Sequence, residues 1–169
     1  MLADMNDPTR IEPGPGQESV WDYPRPPKVE PSSSHIVVEL DGIVIADTNA
    51  SMRVIETSQP PAFYIPRAHI AMEHLIPTRT HTYCEWKGQA SYFTVQAGNT
   101  VRTDAAWTYP EPLPGFDAIS GHVAFYAQLM DRCFVDDEQV ESNAGLFYGG
   151  WITSNIVGPF KGGPGTHGW

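Results

Sequence analysis

Apolar and polar residues begin to alternate abruptly at residue 35. Residues 35–48, HIVVELDGIVIADT, are two β-branched runs flanking Asp41-Gly42. Branched side chains favour pleated strands, and Asp-Gly accepts the positive φ angles of a two-residue hairpin turn. A hairpin is predicted there, followed by a third strand, MRVIET, which Pro60-Pro61 terminates. Alternation in that strand sends Arg53 and Ile55 to one side and Val54 and Glu56 to the other. Pro66 is placed to open a single helical turn through Ile70, with extended AMEHLI after it.

Three further strand-like runs, RTHTYCEW, QASYFTVQA and TVRTDAAWTY, are separated by Lys87-Gly88 and Gly98-Asn99. If both loops hold two residues, Trp86 pairs with Gln89, Tyr83 with Tyr92, Ala97 with Thr100, Tyr92 with Ala105 and Ala90 with Trp107. One face then carries His81, Tyr83, Tyr92, Thr94, Ala105 and Trp107. The other carries Cys84, Trp86, Ser91, Phe93 and Val95. Beyond Pro110, PEPLPGFDAIS reads as a turn with a short helix, and HVAFYAQLM as strand, helix, or one and then the other. CFVDDEQVES reads as a late strand running into acidic surface.

The ends lack such patterning. Residues 1–34 are rich in proline, glycine and serine and read as an arm, in which Trp21 and Tyr23 argue for contact with a surface. Residues 144–169 alternate glycine clusters with Phe147, Tyr148, Trp151, Phe160 and Trp169. That tail is too glycine-rich for a helix and too aromatic for water, so it is expected to wrap its own domain or a neighbouring subunit. The whole reads as mainly β. One compact antiparallel β-sheet or barrel-like domain spans residues 35–143, with few short helical turns and extended N- and C-terminal segments.

Composition narrows the function classes. The chain has 169 residues and a net charge of −10, with twice as many acidic as basic residues. Such a surface repels phosphate backbones, so neither nucleic acid nor an anionic membrane is expected as a partner. Two distant cysteines, Cys84 and Cys133, make no disulfide framework, and no apolar run suits export or a membrane span. The expectation is a cytoplasmic protein.

The candidate chemistry is sparse. The histidines, at positions 35, 69, 74, 81, 122 and 167, form no H-E-x-x-H, and the cysteines no C-x-x-C, so no metal is expected. Glycine-rich phosphate loops and a G-x-S-x-G elbow are likewise missing, and no cofactor is expected. On a straight strand His81 and Cys84 point to opposite faces. Beside Trp86 and Phe93, Cys84 reads as a small buried hydrophobe, and Lys87 as a solvated turn residue. There remains the face bearing Tyr83, Tyr92, Trp107 and His81, which Arg53, Glu56 and Tyr64 could approach from the preceding strands. Apolar walls with a few polar groups are the make-up of a small-molecule pocket. The plainer alternative is that these tyrosines only pack, under cover of the tail.

The segments RVIETSQPPAFYIPRAHIAMEHL, THTYCEWKGQASYFTV, DAAWTYPEPLP and HVAFY together resemble the bacterial and fungal family called domain of unknown function 427, over about residues 35–140. The glycine–aromatic tail is similar to an extension on some members. The resemblance implies a compact antiparallel β-fold of the "beta-tent" group, which includes methionine sulfoxide reductase B. The paired C-x-x-C motifs that hold zinc in that group have no counterpart here, so neither zinc nor reductase chemistry carries over. The label nucleotidyltransferase, sometimes attached to the family, would need a glycine-serine motif with spaced aspartates, which this chain lacks. Arg53, Glu56, Tyr64, Cys84, Lys87, Tyr92, Trp107 and Tyr109 match the family's most distinctive motifs.

Two functions are therefore expected. The first is binding of a small molecule, with Glu56, Lys87 and Tyr92 as candidate acid–base groups and Arg53, Tyr64, Tyr83, His81, Trp107 and Tyr109 as ligand-binding residues. The second is an accessory or assembly role, in which the arm and tail bind a protein partner or form a homo-oligomer.

Overall fold

The computed structural model describes residues 9–143, 149–163 and 165–169. Its strands, in chain order, open with β1 (Glu18–Ser19), β2 (Lys28–Ser32), β3 (Ile36–Leu40), β4 (Ile43–Thr48), β5 (Ser51–Ile55) and β6 (Ala62–Tyr64). The long strands β7 (Leu75–Cys84), β8 (Gly88–Ala97) and β9 (Thr100–Thr108) follow, then β10 (Val123–Phe125), β11 (Arg132–Val135), β12 (Glu138–Gln139) and β13 (Glu141–Ser142). β14 (Trp151–Ile152) and β15 (Ile156–Val157) lie in the tail. The described helical segments are single 3-10 turns, one of them residues Arg67–His69 opened by Pro66 as the sequence predicts. The fold is mainly β and divided among several sheets; it does not close into a barrel.

Two four-stranded sheets, β12-β11-β3-β4 and β10-β9-β8-β7, enclose the main core. β3 alternates as expected, with Ile36, Val38 and Leu40 buried. It turns into β4 through Asp41 (φ 50°) and Gly42 (φ 72°), the predicted hairpin turn. From the other sheet come Phe93, Val95, Ala106 and Phe125. The Asp41 carboxylate accepts a hydrogen bond from the Asn99 amide at 2.8 Å, pinning one sheet's turn onto the other's. Gly98 must be glycine there: its φ is +57°, and a Cβ would lie 2.3 Å from Asp41 Oδ2. The run Asp136-Asp137-Glu138 is acidic surface as expected, with both aspartates exposed. Asp136 (φ 48°) and Asp137 (φ 68°) form a second two-residue turn, joining β11 to β12.

The register of the β7–β8 hairpin departs from expectation. Its loop contains three residues, Glu85, Trp86 and Lys87, and Cys84 pairs with Gly88, Tyr83 with Gln89 and His81 with Ser91. The shift is odd, so it reverses which residues of β7 share a face with Tyr92. Cys84 and Thr82 join Tyr92, while His81 and Tyr83 turn to the opposite side and are exposed. The predicted separation of His81 from Cys84 holds, but the faces assigned to them are exchanged.

β9 also differs. Its first residues keep the predicted pairing of Ala97 with Thr100, and an irregularity then brings Tyr92 opposite Trp107. Asp104 (φ 51°) sits at that bulge and accepts hydrogen bonds from Thr78 and Thr80, each at 2.7 Å. A positive-φ aspartate held by two hydroxyls marks a built bulge, which counting from the turn cannot foresee.

The termini are woven into the domain. β2, read from sequence as the end of the arm, pairs with β5 in the sheet β2-β5-β6. β1 runs parallel to β15, and the Trp21 indole donates to the Pro159 carbonyl at 2.9 Å and meets Trp169 edge-on. Trp151 is wholly buried in the main core. Phe147 and Tyr148 lie outside the described residues. The aromatics that suggested contact with a surface find it, where described, on their own chain.

Candidate functional site

A second apolar cluster covers the other face of β8, β9 and β10, containing Tyr92, Trp107, Ala124 and Tyr126. Cross-strand pairing explains it: Tyr92 lies opposite Trp107, and Trp107 opposite Ala124. An antiparallel bridge between Ile65 and Val123 attaches the end of β6 to the edge of this sheet. Val54 and Tyr64 thereby turn toward the same space. Between them lies a cavity of about 300 Å³, bounded on its remaining sides by Pro60, the β7–β8 loop and the tail residues Gly149 and Gly150.

Tyr64, Tyr92, Trp107, Tyr109 and Tyr126 form the aromatic part of its wall. The Trp107 indole N–H donates to the Tyr64 hydroxyl at 3.2 Å, with the two rings edge to face. Trp107 also packs on Tyr126, their centroids 4.5 Å apart. The Tyr92 hydroxyl is hydrogen-bonded to Thr82 Oγ1 at 2.9 Å. Burial raises the pKa of Tyr64, Tyr109 and Tyr126, so these three remain neutral hydroxyl donors. Gly149 lies flat on Trp107, where a Cβ would come within 2.1 Å of the indole.

Lys87 is the charged group of the interior. The Leu113 amide donates to its backbone carbonyl at 2.9 Å, folding residues 111–113 over the loop. The side chain is half-buried, with its ammonium 5.7 Å from the centre of the Tyr109 ring, a cation–π distance. Burial works against its charge, but the Tyr64 hydroxyl, the Cys84 thiol and the Glu56 carboxylate outweigh it, and the pKa is raised. Lys87 is therefore a cation at neutral pH, and its ammonium has no hydrogen bond or ion pair among the described residues. The expectation of a solvated turn lysine is corrected: the longer loop aims it inward.

The other charges in the wall are engaged or peripheral. Glu56 lies 3.6 Å from Arg25 Nε and accepts from Gln59 Nε2 at 3.0 Å. Lys161 donates to the Trp169 carbonyl at 3.2 Å, and Glu85 is exposed at the rim. Among the described residues no three His, Cys, Asp or Glu side chains are grouped to hold a metal ion.

Of the residues singled out from sequence, Glu56, Tyr64, Lys87, Tyr92, Trp107 and Tyr109 all reach the cavity wall, and Tyr83 stands at its rim. Arg53 and His81 lie elsewhere. Arg53 is on the opposite side of β5 from Val54, bound to Glu18 (2.9 Å) and to Glu30 and lying over the Tyr23 ring. This clasp ties β1 and β2 to β5. Alternation along MRVIET already separates Arg53 from Glu56, so one pocket cannot use both. His81 is exposed, with only a 3.4 Å contact to Ser91 Oγ.

Cys84 reverses its expected placement, leaving Phe93 in the main core and joining Trp86 beside the cavity. Sequence reasoning missed Thr82, Gln59, Tyr126, Gly149 and Gly150. Tyr126 closes the HVAFY segment and was within reach. The glycines carry no side chain for a pattern to detect.

This is a single mainly-β domain with a cavity that combines aromatic and polar side chains and is bordered by the tail residues Gly149 and Gly150. Residues 28–136 match the family described as a domain of unknown function (DUF427), and the chain belongs to it. A comparison with curated proteins found no match. The matched segment starts at the first residue of β2 and stops in the β11–β12 turn, so Gly149 and Gly150 come from beyond it.

Proposed function

We propose that the chain binds a small organic molecule in the cavity between β5, β6 and the β8–β9 face. One observation carries this reading: the Lys87 ammonium, which has no hydrogen bond or ion pair among the described residues, sits in a wall that groups Tyr64, Tyr92, Tyr109, Tyr126 and Trp107 with a few polar side chains. A wall that served packing alone would gain by pairing or expelling that charge. The volume is at the small end of ligand sites.

Binding is favoured over proton transfer. Lys87 is charged and acts as donor and counter-ion, so a general base would have to be a carboxylate, and Glu56 is already held by Arg25 and Gln59. The assembly reading loses its motive, because the described aromatics of arm and tail pack on this chain.

The test is a thermal-shift screen of the full chain against small metabolites. A ligand at a hundred times its Kd contributes about 2.7 kcal/mol, a rise in Tm of roughly 5–10 °C for a chain of this size. The shift should vanish in Trp107→Leu. A library without any hit at millimolar concentration, or hits indifferent to Trp107→Leu, would overturn the proposal.

A further inference from the structure

The cavity has an imbalance of donors and acceptors. Lys87 contributes an N–H₃⁺ group with no hydrogen bond or ion pair among the described residues, and Tyr64 has its hydroxyl proton to donate, since its oxygen is the acceptor for Trp107. Tyr109, beneath the ammonium, is also held protonated. Against these, the one inner carboxylate, Glu56, is occupied by Arg25 and Gln59. The cavity therefore presents the Lys87 ammonium and the Tyr64 and Tyr109 hydroxyls as donors, while Glu56 in the same wall is shared among Arg25, Gln59 and the field at Lys87.

That arrangement suits an anion, and two features limit its charge. Of the two lysines in the wall, Lys161 is held by the Trp169 carbonyl and Lys87 has no hydrogen bond or ion pair among the described residues, and the chain as a whole carries −10. A dianionic phosphate would bring a second negative charge into a wall that already holds Glu56 and Glu85. The rings of Tyr64, Trp107 and Tyr109 are part of the same lining, and aromatic walls suit a flat apolar body. A cavity of about 300 Å³ is at the small end of ligand sites and suits a small occupant.

We infer that the cavity is a binding site for a small aromatic monocarboxylate of benzoate size, its carboxylate on the Lys87 ammonium and its ring between Tyr64, Trp107 and Tyr109. This rests on the cavity being a ligand site at all, and adds the charge and shape of the occupant. Tyr64 directs its hydroxyl proton to the second carboxylate oxygen.

Isothermal titration of the full chain with benzoate, benzyl alcohol, acetate and inorganic phosphate tests the inference. Benzoate should bind at least tenfold more tightly than each of the others. Lys87→Met should weaken benzoate tenfold or more while leaving benzyl alcohol unchanged, and Lys87→Arg should restore most of the loss. An unchanged melting temperature for Lys87→Met would show the variant folded. Equal affinity for the acid and the alcohol, or benzoate binding indifferent to Lys87→Met, would overturn the charge assignment and leave the cavity reading standing. Phosphate binding more tightly than benzoate would overturn the ligand class. Failure of every probe would overturn the inference, and only a failed metabolite screen as well would remove the cavity reading.

Discussion

Replacing Trp151 by alanine tests whether the tail belongs to the fold, since Trp151 lies beyond the segment that matches the family. Its indole is buried in the main core, 5.5 Å from the Phe63 ring centre, and donates to the Phe125 carbonyl at 3.0 Å. Truncating a buried tryptophan costs about 3–5 kcal/mol, including the loss of its hydrogen bond. A domain of ordinary stability has about 5–15 kcal/mol to lose, so the variant should fold but melt roughly 6–20 °C lower. Trp169→Ala is the control. It removes a half-exposed edge contact with Trp21, an aromatic pair contributing about 0.5–1.5 kcal/mol, and should lower Tm by roughly 1–6 °C. Calorimetry on the full chain reads both. A Trp151→Ala melting point within about 2 °C of the parent would refute the reasoning, and so would an equal fall for Trp169→Ala.

The remaining predictions concern acid and thiols. Burial opposes the charge of Glu18, but its hydrogen bonds from Arg53 and Tyr23 prevail and hold its pKa below 4.5. Its contribution is therefore complete above the unfolded value and lost as pH falls through the lower folded value. Because Glu18 is partly exposed, the amount is only about 1 kcal/mol. Arg53→Met should accordingly flatten the decline in stability between pH 5 and pH 3 in denaturant titrations; an unaltered slope would count against the clasp. Cys133 is buried, which pushes its thiol up to about 12, whereas Cys84 borders the cavity. Native alkylation followed by peptide mass mapping should therefore label Cys84 first and Cys133 only on unfolding, and the reverse order would contradict the β7–β8 register.

Several features were legible because they depend on neighbours in the chain. Asp41-Gly42 carries its turn in two residues, Pro66 its single helical turn, and the β-branched runs their strands. The cavity residues were found by residue type and by family resemblance, and six of them meet. The alternation of Arg53 against Glu56 is legible too, and it places the two on opposite sides of β5. By contrast, Lys87-Gly88 has the composition of a two-residue turn, yet Trp86 enters the cavity cluster and residues 111–113 fold over Lys87, so a three-residue loop forms instead.

By itself, then, the sequence determined the class of fold, the places where most strands begin and end, and the set of side chains able to line a pocket, because turn chemistry and alternation act within a few residues. Tertiary structure decided which of those side chains face one another. A single extra loop residue or a bulge at Asp104 exchanges the faces of a strand, and the balance is set by packing against segments distant in the chain. Only there do Cys84 and Lys87 turn toward the cavity, Arg53 and His81 away from it, and two tail glycines become part of its wall.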